Sequence, residues 1–141
     1  MQEKAFSPRL PTPDFPVKVS GRVVHGKMLG RTLGTPTANI FFEGGACPVP
    51  HGIYASRVSV RGVCYDAVSN VGSRPTVDGA DVNCETYIFD FSLDIYGEQI
   101  ELTLYKRLRE EQRFSSVEEL RCAIISDVEA AKRFFSEFSF I

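Results

Sequence analysis

The stretch Gly52-Ile-Tyr-Ala-Ser-Arg-Val-Ser-Val60, followed by Arg61-Gly62 and then by Val63-Cys-Tyr-Asp-Ala-Val-Ser69, decides the class of fold. Both outer runs are rich in β-branched and aromatic residues, which favour strands. The two residues between them have the length and the glycine of a tight hairpin turn. The stretch therefore predicts two antiparallel strands joined by a two-residue turn.

Similar runs lie on both sides of this hairpin. Val17–Val24 precedes it, and Glu85–Ile95 follows as a longer run. A turn at Tyr96-Gly97-Glu98 then leads into Gln99–Tyr105, in which apolar and polar residues alternate. Because no helical pattern separates these runs, their pairing is expected to be antiparallel, in a barrel or a sandwich.

The last 25 residues change to a helical period. Ser115 or Ser116 can cap the start of this helix, with Glu118 or Glu119 three residues later. We expect the helix to cover one open side of the sheet, and a helix that binds a partner is the alternative. The apolar face consists of Val117, Leu120, Ile124, Val128, Ala131 and Phe135.

Composition excludes several classes of protein. A chain of 141 residues with 43% hydrophobic residues is one domain with an ordinary core. Its formal net charge of −2 argues against a generic nucleic-acid binder. No apolar run is long enough to span a membrane, so no membrane association is expected. A barrel of this size closes on itself, and we expect a monomer.

Cysteine spacing and the N-terminal segment bear on compartment and domain bounds. Four cysteines without a C-x-x-C pair indicate free thiols in a reducing cytosol, which predicts a cytoplasmic protein. Four of the eight prolines fall within residues 1–16, which predicts an extended or disordered lead-in. The domain is expected to occupy residues 17–141.

A glycine-rich segment is the first candidate site. Gly26, Gly30 and Gly34 let backbone amides converge on an anion, and Arg31 adds a guanidinium that suits phosphate. The segment matches neither a Walker A loop nor a dinucleotide fingerprint. A hairpin loop with glycine turns and a corner at Pro36 is the alternative.

Neutral oxygens follow this loop on Thr37 and Asn39, two residues apart and so on one face of an extended segment. Mg²⁺ prefers oxygen ligands and usually completes its shell with water and substrate phosphates. The pair is therefore a candidate metal site.

Glu85 is the candidate general base. Its neighbours on one face of the predicted strand are Tyr87, Phe89 and Phe91, and a carboxylate on a mostly aromatic face is unusual. A glutamate at a strand edge that points to solvent is the alternative.

Between the last strand and the helix, Arg109, Gln112 and Phe114 combine a charge, an amide and a ring that together could hold a planar polar ligand. A solvated connection, with Phe114 packed on the helix, is the alternative. His25 and His51 have no apparent serine or cysteine partner, so a hydrolase triad is unsupported.

Taken in order, these motifs closely resemble the signature of the riboflavin kinase family over roughly residues 19–135. The resemblance is to the bacterial form, in which this module usually follows an adenylyltransferase domain; we expect either a stand-alone kinase or one module of a longer protein. The matching series is Gly21-x-Val23-x-x-Gly26, Gly30-Arg31-x-Leu33-Gly34-x-Pro36-Thr37-Ala38-Asn39-Ile40, Gly52-Ile53-Tyr54, Asn70-Val71-Gly72-Ser73-Arg74-Pro75-Thr76-Val77, Glu85-Thr86-Tyr87-Ile88-Phe89-Asp90-Phe91, Tyr96-Gly97, Leu108-Arg109-x-Glu111-x-Arg113-Phe114-x-Ser116-x-Glu118-x-Leu120 and Asp127.

The resemblance implies a six-stranded antiparallel Greek-key barrel with a C-terminal helix. It also implies a small-molecule kinase that converts riboflavin and ATP to FMN and ADP. The expected metal ion is Mg²⁺, and Zn²⁺ and Mn²⁺ are the alternatives. Gly26 and Arg31 would hold the ATP phosphates, Thr37 and Asn39 would bind nucleotide and metal, and Glu85 would accept the proton of the ribityl 5′-hydroxyl.

The same resemblance assigns the two ends of the substrates. The flavin would be contacted by Arg109, Gln112 and Phe114, and the adenine end of ATP would lie near Ile88, Asp90 and Tyr96. Two other functions stay open: a flavin or nucleotide carrier without turnover, and a nucleic-acid-binding barrel of the OB type. The net charge and the lack of a basic, aromatic strand argue against the latter.

Overall fold

The computed structural model describes residues 15–24, 37–42, 49–76, 79–91 and 94–138. Within these ranges six strands precede one helix. Their bounds are β1 Val17–Arg22, β2 Thr37–Phe41, β3 Gly52–Val60, β4 Val63–Thr76, β5 Gly79–Ile88, β6 Gln99–Arg109 and α1 Val117–Phe138.

The six strands form one antiparallel sheet in the order β1-β6-β3-β4-β5-β2. The sheet curls so that its two edge strands approach each other. Just beyond β1, the amide of Val24 donates to the carbonyl oxygen of Asn39 in β2 at 2.8 Å. The prediction of a mainly β, antiparallel barrel with a C-terminal helix is therefore confirmed, with the sheet curled into a half-barrel.

The turn between β3 and β4 forms at the two residues predicted from the sequence. Val60 pairs with Val63, and Arg61 and Gly62 adopt φ angles of 53° and 80°. Two consecutive positive φ angles are typical of the type I′ turn, whose twist matches that of the flanking strands. The Arg61 guanidinium pairs with the Glu98 carboxylate, which ties this turn to the one preceding β6.

Apolar side chains are buried on both faces of the sheet. The inner cluster fills the curl and includes Tyr54 of β3 and Leu102 of β6, both 0% exposed. The outer cluster lies under α1, where Ala131 and Phe135 pack with Ile53 and other residues of the sheet. Because successive side chains of a strand alternate between faces, β3 contributes to both clusters.

Helix α1 begins as its sequence predicts, since the Ser116 hydroxyl accepts a hydrogen bond from the amide of Glu119 at 3.1 Å. Its apolar face is buried only farther along, at Ala131 and Phe135. Val117, at the start of this face, is 61% exposed. The exposed fraction of the apolar face therefore falls from the first turn of the helix toward its C-terminal half.

Strand β5 ends at Ile88 instead of continuing to Ile95 as predicted. Asp90 has a φ of 55°, which turns the chain out of the extended conformation. As a result Phe89 joins the cluster under α1, whereas Phe91 joins the inner cluster and contacts Tyr65. Phe91 therefore does not share a face with Glu85, contrary to expectation.

Residues 1–14 of the predicted lead-in lie outside the described residues, and β1 begins at Val17, the predicted start of the domain. In the described ranges, no helix has both the length and the apolar character needed to cross a membrane.

Candidate functional site

Strand pairing brings five sequence-distant residues into one row across the sheet. Arg109 of β6 pairs with Ile53 of β3, Ile53 pairs with Asn70 of β4, Asn70 with Glu85 of β5, and Glu85 with Asn39 of β2. Directly opposed residues in antiparallel strands point to the same face. Since Ile53 belongs to the cluster under α1, this is the face that the helix partly covers.

A pocket lies between this row and α1. It has apolar walls and a polar end, a combination suited to an amphipathic small molecule. The predicted residues Thr37, Glu85, Arg109, Gln112 and Phe114 all line it, so the fold brings the base candidate and the flavin-loop candidates together. Its other lining residues are Ile53, Val68, Ser69, Asn70, Tyr87, Leu120, Ile124 and Asp127.

A hydrogen bond holds the Glu85 carboxylate at the polar end. The hydroxyl of Thr37 donates to Oε2 of Glu85 at 2.9 Å, although the two residues are 48 positions apart in the chain. Glu85 is half-buried. Thr37 of β2 pairs in register with Tyr87, which lies two residues after Glu85 on β5. Because the donor sits on an adjacent strand, the carboxylate keeps a defined orientation toward the pocket.

Asn39 shares a face with Thr37 and is almost fully buried. Its Oδ1 accepts a hydrogen bond from Nδ2 of Asn83 at 2.9 Å, which sets the direction of the amide oxygen. Among the described residues, no group of three or more histidine, cysteine or acidic side chains could hold a metal ion. A cation here would therefore use neutral oxygens of the chain together with oxygens of a ligand.

The residues present fit such a cation. When the Thr37 hydroxyl donates its proton to Glu85, its lone pairs stay available, and Oδ1 of Asn39 has a second lone pair besides the one used by Asn83. Hydrogen bonds of this kind orient metal ligands in many proteins.

Arg109 is held by an ion pair with the helix. Its Nε and Nη2 donate to the two carboxylate oxygens of Asp127, both at 2.7 Å, and its Nη1 donates to the carbonyl oxygen of Glu110 at 2.9 Å. The guanidinium carbon lies 5.8 Å from the centre of the Phe114 ring. Arg109 thus joins the end of β6 to α1 and supports the aromatic ring of the pocket.

The sequence pattern contains a signal for Asp127 that its residue type alone does not give. It occupies a position three residues after Ile124 on the apolar face of the helix, and it is 7% exposed. A buried acid on such a face indicates a partner of opposite charge.

The loop after β6 rests on β4 through Glu111. A Cβ atom placed on Gly72 would lie 1.8 Å from Oε2 of Glu111, so the carboxylate occupies the space that a side chain would need. Nδ1 of His51 lies 4.0 Å from Oε1 of the same carboxylate. The glycine thus allows the loop that carries Gln112 to lie against the sheet, a contact that the sequence pattern did not reveal.

Comparison with known proteins identifies the family. The family model described as "Flavokinase: Riboflavin kinase" matches residues 13–135. The chain belongs to the riboflavin kinase family.

Curated relatives carry the kinase as part of a larger protein. The bifunctional riboflavin kinase/FMN adenylyltransferase of Escherichia coli strain K12 is 44% identical over 121 residues, which are 85% of this chain and 38% of the relative. The protein of the same description from Haemophilus influenzae is 42% identical over 122 residues, 86% of this chain and 39% of the relative. The chain thus spans about two-fifths of the length of these relatives.

Solved structures share the fold. A crystal structure from Streptococcus pneumoniae, described as a macrolide-efflux protein, has a TM-score of 0.74 and 36% identity, and covers 83% of this chain and 38% of that one. The riboflavin kinase of Trypanosoma brucei has a TM-score of 0.61 and 25% identity, and covers 84% of this chain and 79% of that one.

Of the residues expected to bind the nucleotide, Thr37 lines the pocket, whereas Ile88, Asp90 and Tyr96 are not among its lining residues. Ile88 is 2% exposed within the inner core, so only its backbone could contact a nucleotide, while Asp90 lies in a turn and Tyr96 is 55% exposed. Gly26 and Arg31 lie outside the described residues. The roles assigned to these five residues stay predictions.

Proposed function

We propose that this chain transfers the γ-phosphoryl group of ATP to the 5′-hydroxyl of riboflavin, which yields FMN and ADP. The observation that carries the proposal is the hydrogen-bonded pair of Thr37 and Glu85 at the polar end of a pocket whose walls include Ile53, Leu120 and Ile124. Membership of the riboflavin kinase family supports it.

Glu85 is the general base in this proposal. Phosphoryl transfer depends on a positioned acceptor, on charge neutralisation and on a group that takes the proton of the attacking hydroxyl. The hydrogen bond from Thr37 engages Oε2 and holds the carboxyl group on the row of residues that faces the pocket. The proton of the ribityl 5′-hydroxyl passes to this carboxylate as the oxygen attacks phosphorus.

The apolar part of the pocket is proposed to hold the isoalloxazine ring. Phe114 offers an aromatic face, and Leu120 and Ile124 of α1 offer aliphatic contact. The Arg109 guanidinium lies against the Phe114 ring, 5.8 Å from its centre. The amide of Gln112 can hydrogen-bond the polar edge of the isoalloxazine ring. With the ring at this end, the ribityl chain extends toward Glu85.

Thr37 and Asn39 are proposed to hold Mg²⁺, with Mn²⁺ and Zn²⁺ as alternatives, and this ion when bound neutralises charge on the phosphate oxygens. Gly26 and Arg31 would bind the phosphates of ATP. Ile88, Asp90 and Tyr96 would lie near the adenine.

We also propose a monomer in the cytoplasm, with residues 17–141 as the kinase domain behind a lead-in of residues 1–16. The free thiols of Cys64, Cys84 and Cys122 support a reducing compartment. The near closure of the sheet through Val24 and Asn39 supports a fold that needs no second chain.

The test combines riboflavin, ATP and Mg²⁺ with the protein and separates the flavins by chromatography with fluorescence detection. We expect FMN, and none after EDTA is added. Glu85→Gln should lower kcat by roughly two to four orders of magnitude and leave riboflavin binding intact, because the amide keeps its size but cannot accept the proton.

Glu101→Gln is the matched control, since this exposed glutamate lies on β6 and does not line the pocket. It should keep normal turnover. Near-normal turnover by Glu85→Gln would show that Glu85 is not the general base. Riboflavin binding without FMN formation by the unchanged protein would favour the carrier function instead.

A further inference from the structure

The polar end of the pocket contains a buried oxygen that the proposed reaction does not use. Oδ1 of Asn70 is buried and has no hydrogen-bond partner among the described residues. Buried polar atoms in folded proteins are nearly always hydrogen-bonded, so an unpaired acceptor in a pocket points to a donor on a ligand.

The other polar groups of this row are already engaged. Glu85 accepts a hydrogen bond from Thr37, Asn39 accepts one from Asn83, and Arg109 is paired with Asp127. Ile53, on the other side of Asn70 in the row, is apolar. The acceptor of Asn70 is thus placed for a donor that the pocket receives from outside.

Register fixes where that donor lies relative to the reacting hydroxyl. Asn70 pairs directly with Glu85, so the two side chains start from adjacent strands about 4.8 Å apart on the same face. If Glu85 receives the proton of the terminal hydroxyl of the substrate, then a substrate group that reaches Asn70 lies only a few bonds from that hydroxyl. This is the distance of an inner hydroxyl of the polyol chain, and it is too short to reach the flavin ring.

We infer that Asn70 is a specificity-determining residue that accepts a hydrogen bond from an inner hydroxyl of the ribityl chain. The inference rests on the proposed function. It assigns to Asn70 the discrimination between a polyhydroxylated side chain and an equally long side chain that has only the terminal hydroxyl.

The test compares two acceptors, riboflavin and an isoalloxazine with the same ring and an unbranched 5-hydroxypentyl chain. Asn70→Leu keeps the volume of the side chain and removes the acceptor. We expect kcat/KM for riboflavin to fall roughly tenfold, while the value for the hydroxypentyl flavin stays within about twofold, because that substrate has no donor to lose. Asn70→Asp keeps an acceptor oxygen and should retain the preference for riboflavin.

Cys64→Ser is the control, since this exposed residue lies six positions away on the same strand and outside the pocket. It should leave both values unchanged. An equal loss with both flavins in Asn70→Leu, or no loss with either, would overturn the inference. Asn70→Ala replaces Asn70→Leu if the latter does not melt cooperatively.

Fluorescence quenching separates this inference from the proposed function. If the unchanged protein binds both flavins without making FMN, the kinase proposal fails. The inference then stands only if Asn70→Leu weakens riboflavin binding roughly tenfold and leaves binding of the hydroxypentyl flavin unaltered. If the unchanged protein binds neither flavin, both proposals fail.

Discussion

Replacing Asp127 by leucine tests whether the ion pair between β6 and α1 holds the pocket together. Asp127 accepts two hydrogen bonds from Arg109, both of 2.7 Å. Its side chain is 9% exposed, and that of Arg109 is 27% exposed. The substitution leaves a largely buried guanidinium without its counter-ion next to Phe114.

The cost follows from burial. Removing one partner of a fully buried pair typically destabilises a protein by about 3–5 kcal/mol. Because Arg109 keeps about a quarter of its exposure, water screens part of this loss, and we expect about 2 kcal/mol. For a domain of this size that corresponds to a decrease in Tm of roughly 7 °C.

A double-mutant cycle isolates the pair. Arg109→Leu, Asp127→Leu and the double variant are melted thermally and in urea, and the free energies of unfolding are compared. The double variant should be less destabilised than the sum of the single variants by about 2 kcal/mol, because it leaves no unpaired charge. The exposed pair of Lys18 and Glu101, 3.8 Å apart, is the control and should show less than about 0.5 kcal/mol of coupling.

Additive effects of Arg109→Leu and Asp127→Leu, within about 0.5 kcal/mol, would refute this reasoning. The same variants should also raise the KM for riboflavin, because the guanidinium that supports Phe114 is displaced or lost. An unchanged KM would show that the ring keeps its place without the ion pair.

Three further predictions concern the loop after β6 and the start of α1. Gly72→Ala should raise the KM for riboflavin roughly tenfold in steady-state kinetics, because the new Cβ would displace the Glu111 carboxylate and shift the loop; an unchanged KM would contradict this. Ser116→Ala should cost about 1 kcal/mol and lower Tm by roughly 3 °C, through loss of the helix cap; an unaltered melting curve would argue against it. The hydroxyl and then the amide of Ser115 hold the pKa of Glu119 below its usual 4.5, so this interaction stabilises the fold above that value and is lost as the pH falls through the lowered pKa. In Ser115→Ala the pKa of Glu119, followed by NMR titration of its carboxyl group, should rise toward 4.5, and a static midpoint would refute the assignment.

Elements whose pattern is local were predictable from sequence. The hairpin of β3 and β4 depends on two short runs and the two residues between them, and its turn forms at Arg61 and Gly62 as expected. Helix α1 depends on a cap and a repeated apolar spacing, and Ser116 provides that cap. In both cases the interacting residues are near one another in the chain, so the sequence pattern contains the relevant information.

Predictions that extended a local pattern past a change of backbone direction were wrong. The apolar run from Glu85 to Ile95 reads as one strand, yet the positive φ of Asp90 ends the extended conformation and sends Phe89 and Phe91 into different clusters. Both rings still become buried, so the sequence predicted burial there but not the face. The face depends on tertiary packing that a period of two residues does not encode.

The candidate site shows the same division between residue type and register. Thr37, Asn39 and Glu85 could be recognised because hydroxyl, amide and carboxylate groups have distinct chemistry in any sequence. The role inferred for Asn70 could not be recognised, because it depends on the pairing of β4 with β5. A slip of one residue in that pairing would turn Asn70 and Glu85 to opposite faces of the sheet and would separate the acceptor from the base. The specificity argued for Asn70 is therefore a property of strand register, which is why exchanging its side chain while keeping the sheet intact is the informative perturbation.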